Sequence, residues 1–451
     1  MLTLWKNATT RERVLFVLLG GFLLVMLGRG IDSTWSYNDF EVFHYAGGAA
    51  WEKAPDMYTT ESPIKSRKFV YPPSASMFLM PLAWAPYKVT SLLFTLLKIA
   101  ALALLIVGVI AKSGNAPRDR ATRLGLMLAA VVITLQPITS DVGNGQVNII
   151  VGAAALLGVW LMMESRRWWW AGSLLVAIAV AIKATPLLLL AVPFLHRRWI
   201  PFAASLGMIV LLLVAMPTAW FGPELVKSYT ESFKHYSNKA VEEGARRPRQ
   251  VCLYEMVLFT GAQLHADDDL VWDADEGETF RVLPDGTRVK TGVKPAWPKR
   301  TGQIIWLAIG LGTGVLFLAG RWLLARRRGE TIPWQWDLAM LVTLMILLAP
   351  MVRRAHLVVL LAPVGWVVVR LWWMARAHGG WRHLAVARKG LVALLTLTLM
   401  FFWASEDLAI PAPGFPIPYH PALFFAMIGL VAIIAWLGTI TVSDEEQAKA
   451  E

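Results

Sequence analysis

Asp39 lies in Tyr37-Asn38-Asp39-Phe40-Glu41, directly before a stretch with helical periodicity. Two readings compete for it. Aspartate is favoured at helix N-caps, where its oxygen accepts from a free backbone N–H. A carboxylate held at a membrane surface can equally serve as general base for an attacking hydroxyl. Asp32 and Glu41 are weaker candidates for that second role. Met351-Val352-Arg353-Arg354-Ala355-His356 supplies cations. Arginine suits bidentate phosphate binding, and the bland alternative is anchoring among lipid headgroups. His356 can donate to phosphate, orient a neighbour or cap a helix. Lys183 sits inside an apolar segment, which is costly unless it faces water or meets a carboxylate or a phosphate. Asn144, Gln146 and Asn148 open another apolar run; a buried amide needs partners, either nearby backbone or the hydroxyls of a sugar. Tyr71-Pro72-Pro73 is a rigid lead into a helix, where proline is tolerated in the first turn. Gln250 completes the polar group.

The elements that must position these residues follow from composition. Of 451 residues, 56% are hydrophobic and 16% charged, with a mean hydropathy of +0.52. Soluble domains carry roughly 25% charged residues, so a soluble enzyme is excluded, as are a disordered chain and a disulfide scaffold. With Cys252 as the single cysteine, there is no intramolecular disulfide and no cysteine zinc cluster. The net charge is +12, yet residues 221–300 hold 12 basic and 13 acidic side chains. The basic excess therefore sits between apolar runs. That pattern marks a polytopic membrane protein with a positive cytoplasmic side, not a nucleic-acid binder.

Candidate apolar runs begin near residue 14 and recur at 87–111, 122–139, 147–163, 168–183, 185–196, 200–218, 302–320, 335–351, 357–375, 390–405 and 421–441, of which 168–183 and 185–196 are short and read as a hairpin whose tip, at Lys183–Pro186, points away from the basic side. The expected fold is an all-α bundle of about 12 transmembrane helices, or about 13 if 72–86 spans rather than re-enters. Six basic clusters set the orientation: the N-terminus, Lys112–Arg123, Arg166/Arg167, Arg197/Arg198, Arg321–Arg328 and Arg370–Lys389. With all six in the cytoplasm, both termini are inside and every candidate residue above falls outside. Residues 1–218 then form an N-terminal membrane module with a first outer loop at 29–86. Residues 219–301 form an outer insertion, and 302–451 a C-terminal membrane module. In the outer loop, Phe40–Trp51 reads as an amphipathic helix along the interface, with Phe43, Ala46, Ala50 and Trp51 at helical spacing. In the insertion, Thr279–Lys290 reads as a β-hairpin around Pro284-Asp285-Gly286.

The ordered motifs resemble glycosyltransferase family 87, membrane transferases of the GT-C superfamily that use polyprenyl-phosphate sugars. The pieces are Tyr37-Asn38-Asp39-Phe40-Glu41-Val42-Phe43, Ala46-Gly47, Pro55-Asp56-Met57-Tyr58, Phe69-Val70-Tyr71-Pro72-Pro73 and Met80-Pro81-Leu82-Ala83. They continue with Asn144-Gly145-Gln146-Val147-Asn148, Lys183-Ala184-Thr185-Pro186 and Leu348-Ala349-Pro350 followed by Arg353 and His356. The chain departs from the family at Arg249-Gln250-Val251-Cys252, and residues 262–300 match nothing in it.

The resemblance implies a GT-C-type bundle that moves a sugar, with mannose the leading candidate, from a polyprenyl phosphate to an acceptor hydroxyl outside the cytoplasmic membrane. Asp39 takes the position of the base. Arg353, Arg354, His356 and Lys183 are expected to hold the donor phosphate. Asn144, Gln146, Asn148, Tyr71 and Gln250 are expected to face the sugar or the acceptor, a glycolipid or a glycan. Phosphate is a good leaving group, so one carboxylate suffices, and a single displacement inverts the anomeric centre. No cofactor or metal is expected. The rival reading is a transporter or flippase of a lipid-linked glycan, but that class tends to show an inverted repeat and broken mid-membrane helices, and neither is evident. A non-catalytic scaffold presenting 219–301 leaves the outer polar cluster without purpose. The orientation is checked with a cysteine placed at Gly286 in a Cys252→Ser background. An impermeant thiol reagent should label it on intact cells; labelling only after lysis would overturn the orientation.

Overall fold

The structure, a computed structural model, describes residues 8–113, 116–232, 270–273, 278–283, 287–290, 299–329, 332–349, 354–377 and 421–439. A reciprocal cap starts the first helix. Glu12 N donates to Thr9 Oγ1 at 3.2 Å and Thr9 N donates to Glu12 Oε2 at 2.6 Å, which satisfies two otherwise orphaned donors. Helix α1 follows over Thr10–Trp35, then α2 over Phe40–Trp51, α3 over Pro73–Ala83 and α4 over Tyr87–Ala111. Asp119 caps α5 (Arg120–Ile133), accepting from Thr122 N at 2.6 Å. Bonds from Thr122 hold that carboxylate below the usual range. The chain bends by 65° into α6, Leu135–Asn144, where Pro137 removes a backbone donor.

Helices α7 (Asn148–Glu164) and α8 (Trp169–Ile182) lie against each other through Gly158 and Gly172. A Cβ on Gly158 would fall 2.7 Å from Gly172 O, and one on Gly172 would fall 2.5 Å from Gly158 O. Small residues let backbones approach where no water is available to drive helices together. After a 3-10 turn, Thr185–Leu190, come α9 (Ala191–Leu195), α10 (Trp199–Val210), a π turn (Leu211–Ala215) and α11 (Met216–Phe221). Strands β1 (Leu270–Asp273), β2 (Glu278–Val282) and β3 (Arg288–Lys290) form an antiparallel sheet in that order, with Arg281 opposite Val289. The C-terminal part holds α12 (Lys299–Arg328), α13 (Trp334–Leu348), a 3-10 turn (Arg354–Leu360), α14 (Leu361–Ala377) and α15 (Pro421–Thr439).

The chain is a multi-pass membrane protein. Five described helices are long and apolar enough to span: Thr10–Trp35, Tyr87–Ala111, Trp199–Phe221, Ile304–Arg327 and Ala355–Arg376; the bent pair α5–α6 is either a broken sixth span or a re-entrant loop. Among the described residues this count falls below the expected dozen spans. Several apolar runs fold instead as helices of 10–17 residues, among them α7, α8 and α13, each short of a ~30 Å hydrocarbon core. Helix α3, with 11 residues, is also too short to cross. The expected run 390–405 lies outside the described residues.

Helix α2 turns most of its apolar residues inward. Phe40, Val42, Phe43, Ala46 and Ala50 are buried, while Trp51 is exposed. The helix packs one face into the protein, and Gly47 brings its backbone onto α3: a Cβ there would sit 2.7 Å from Leu79 O. At the end of the bundle carrying the Arg197/Arg198 and Arg321–Arg328 clusters, Asp337 on α13 is fully buried. It is paired with Arg321 at 2.9 Å and His196 at 2.7 Å, which ties α12 and the end of α9 to α13. Because α7 and α8 meet backbone to backbone, Gly158→Val should cost about 1–3 kcal/mol by overpacking. A lowered thermal midpoint in detergent checks it, with Gly20→Ala, where nothing lies within 4 Å, as the control.

Candidate functional site

Asn38, not Asp39, caps α2. Its Oδ1 accepts from Phe40 N at 2.9 Å and its Nδ2 donates to Ser33 Oγ at 2.6 Å. Asp39 makes no side-chain cap bond, so its carboxylate is left for other partners. One oxygen accepts from Arg67 Nη1 and the other from Gln146 Nε2. Its backbone N donates to Asn144 O at 3.0 Å. The Asp39 side chain remains 21% exposed, so the carboxylate is oriented on both oxygens yet reachable.

Arg67 comes from a loop that Glu41 holds in place. The loop closes on itself through Ser62 N to Arg67 O at 2.9 Å and a Glu61–Lys68 bridge. The buried Glu41 carboxylate accepts from Ile64 N at 3.3 Å and Lys65 N at 3.4 Å. Glu41 is therefore a tether within the fold. Asp32 is exposed on α1.

The turn Asp141–Asn148 joins this carboxylate to a buried polar chain. Gly145 sits at φ 65°, and a Cβ there would fall 2.2 Å from Asn38 Oδ1. Only glycine meets both demands, a left-handed backbone and room for the cap. Gln146 N donates to Asp141 O at 3.2 Å, closing the turn and sending the Gln146 amide to Asp39. The Asn144 amide turns the other way, donating to Ser140 Oγ at 3.3 Å. Beyond the turn, Asn148 Nδ2 donates to Asp141 Oδ2 at 3.0 Å, and Lys183 Nζ donates to Asn148 Oδ1 at 2.7 Å. Asp141 is also paired with Lys98 at 2.8 Å, both side chains essentially without exposure.

Asn148, Lys183 and His356 line a cleft of ≈ 490 Å³ including its open mouth. The other walls are mainly apolar, with Val151, Leu156, Leu189, Val342, Met345 and Ile346 among them. An apolar trough that also carries basic side chains is complementary to an amphiphile with an anionic head. Ser74 Oγ donates to Ala181 O at 2.6 Å, fixing the start of α3 beside the Lys183 turn. Tyr71 serves that packing, with its ring 5.0 Å from that of Phe43 and its carbonyl accepting from Tyr58 OH at 3.0 Å.

The structure thus joins Asp39, Gln146, Asn148 and Lys183 through one short turn, and His356 shares the cleft. Arg353 and Gln250 lie outside the described residues, as does the side chain of Arg354. Sequence reasoning missed Lys98, Asp141 and Arg67. The first two carried a usable signal: charged residues within apolar runs need partners.

Residues 69–272 match the sequence model of Glycosyltransferase family 87, the family that the motifs resemble. The match includes Tyr71, Gln146, Asn148 and Lys183, while Asp39 and His356 lie on either side of it. A polyprenol-phosphate-mannose-dependent alpha-(1-2)-phosphatidylinositol pentamannoside mannosyltransferase of Mycobacterium tuberculosis is 28% identical over 215 residues, 42% of this chain and 47% of the relative. The enzyme of the same name from Mycolicibacterium smegmatis is 32% identical over 187 residues, 38% of this chain and 42% of the relative. A phosphatidylinositol mannoside mannosyltransferase of M. smegmatis is 26% identical over 214 residues, 44% and 47% of the two chains. The chain thus spans less than half the length of the curated relatives it matches. No solved structure matches it.

The turn supplies its own test. Gly145→Ala should cost about 1–3 kcal/mol, as an unfavourable backbone region does, and displace Asn38 from its cap. Thermal unfolding in detergent and protease cutting of the loop before α3 should both report it.

Proposed function

We propose that this chain, matched over residues 69–272 to Glycosyltransferase family 87, transfers mannose from a polyprenyl phosphate to a hydroxyl of an extracytoplasmic acceptor. Supporting this reading, the Asp141–Asn148 turn joins an oriented, accessible carboxylate to a mainly apolar cleft lined also by Lys183 and His356. In it the polyprenyl chain follows the apolar wall and the phosphate lies at Lys183 and His356. The relatives' names supply the donor class and point to a mannosylated glycolipid as acceptor. The basic clusters at the Asp337 end support a cytoplasmic assignment for that side, with the site on the opposite face.

The chemistry is a single displacement. The acceptor oxygen attacks the anomeric carbon, its proton passes to an Asp39 oxygen, and the bond from that carbon to the phosphate oxygen breaks. The leaving polyprenyl phosphate gains negative charge as it departs, and Lys183 with His356 stabilises that charge where it develops. Attack opposite the leaving group inverts the centre, so a β-linked donor gives an α-linked product. Gln146 and Arg67 fix the direction in which the base faces.

Asp39→Asn decides the base. The structure assigns the cap to Asn38, so the substitution should leave folding and donor binding intact. Loss of general-base action costs about 10²–10⁴-fold in rate. The measurement is transfer from a synthetic polyprenyl-phosphate mannose by purified variant that still binds donor. Retention of more than about a tenth of the rate, well above what base loss allows, would refute the role.

A further inference from the structure

Lys98 and Asp141 sit deeper than any residue that the proposed reaction needs, and the reaction gives neither a task. Lys98 on α4 forms an ion pair with the Asp141 carboxylate at 2.8 Å and donates to the Asp141 backbone carbonyl at 2.7 Å. The other Asp141 oxygen accepts from Asn148 Nδ2 at 3.0 Å. A carboxylate bonded this way only accepts, so it turns the amide nitrogen of Asn148 toward itself and the amide oxygen outward. That oxygen receives Lys183 Nζ at 2.7 Å. The chain therefore joins two lysines and one aspartate. The carboxylate is matched by the inner lysine, and the outer lysine meets a neutral amide at the cleft wall. An ammonium has three donors, and the Asn148 bond uses one of them.

We infer that Lys98 is a positioning residue for the donor site: it takes up most of the Asp141 charge, so that Asp141 orients Asn148 while drawing less on Lys183, which is left to meet an anion in the cleft. The inference rests on the reading of the cleft as the donor phosphate site. Without Lys98, the Asp141 charge has Lys183 as its nearest cation along the hydrogen-bonded chain. The anion would then compete with a protein carboxylate for the same lysine. A pair that merely staples α4 to α6 makes a different forecast, because loosening helices affects every ligand of the cleft alike.

The experiment uses full-length protein in detergent and two probes, a short-chain polyprenyl phosphate and the corresponding uncharged polyprenol. Lys98→Met should raise the Kd for the phosphate about tenfold, within the range over which contacting groups couple, and leave polyprenol affinity unchanged. Lys98→Met/Asp141→Asn removes the surplus charge, and the new amide oxygen can still accept from Asn148. Phosphate affinity in this double variant should return to within about threefold of the starting protein, a residual small for sites that share a partner. If Lys98→Met does not fold, the double variant decides alone. Weakened phosphate binding there, with polyprenol binding intact, overturns the inference, and so does an equal loss for both probes in either variant. Lys183→Met separates the two levels. If it lowers phosphate affinity while the Lys98 variants do not, only the role of Lys98 falls. If it leaves phosphate affinity unchanged, the donor-site reading falls and takes the inference with it.

Discussion

A carboxylate without access to water must find its partners inside the protein, and in this chain the Asp141 carboxylate finds them on two different elements while its carbonyl closes a turn. Lys98 approaches from α4, Asn148 from the start of α7, and Gln146 N closes the intervening turn on the Asp141 carbonyl. Removing one partner of such a pair leaves a desolvated charge, far costlier than losing a surface ion pair. The turn therefore has little freedom. Its rigidity passes outward in two directions, to Asp39 through the Gln146 amide and to Lys183 through the Asn148 amide. The proposed base and the proposed phosphate site are held relative to each other by a segment that neither substrate needs to touch.

At the other end of the bundle the same constraint is met by a different set of residues. Asp337 is as buried as Asp141, but its partners Arg321 and His196 are partly exposed. There the ionic contacts join helices; at Asp141 they also aim side chains. The difference lies in the neighbours. Asn148 adds an amide, which has a donor end and an acceptor end and so can relay orientation, whereas Arg321 only donates.

Much of the site was legible because polar residues are expensive in apolar surroundings. Asp39, Gln146, Asn148, Lys183 and His356 each interrupt or border an apolar run, and the structure links the first four and sets His356 in the same cleft. Arg67 was not legible. It stands in a polar loop with no periodicity, and only the Glu41 tether, a contact made across the fold, carries it to Asp39. The capping role went to Asn38 instead of Asp39, since aspartate and asparagine are near-equal caps and the choice depends on Ser33 and Gly145 nearby. Hydropathy located the helices but not their lengths. It cannot see that Pro137 sits at a 65° bend, or that glycines at 47, 158 and 172 draw short helices into the interior.

The two bonds on Asp39 carry a consequence for regiochemistry. A carboxylate has about four lone-pair directions, and Arg67 and Gln146 occupy one on each oxygen. In the proposed reaction an incoming hydroxyl must use one of the directions left over. The hydroxyls of a sugar ring differ little in acidity, so a base cannot choose among them by proton affinity. It chooses by angle, accepting the one whose oxygen also points at the anomeric carbon when the ring lies against the protein. Linkage position would then be written in the side chains that aim the base rather than in those that grip the acceptor. Relatives that share the aspartate but differ at the residues corresponding to Arg67 or Gln146 would be free to join the same sugar at a different carbon.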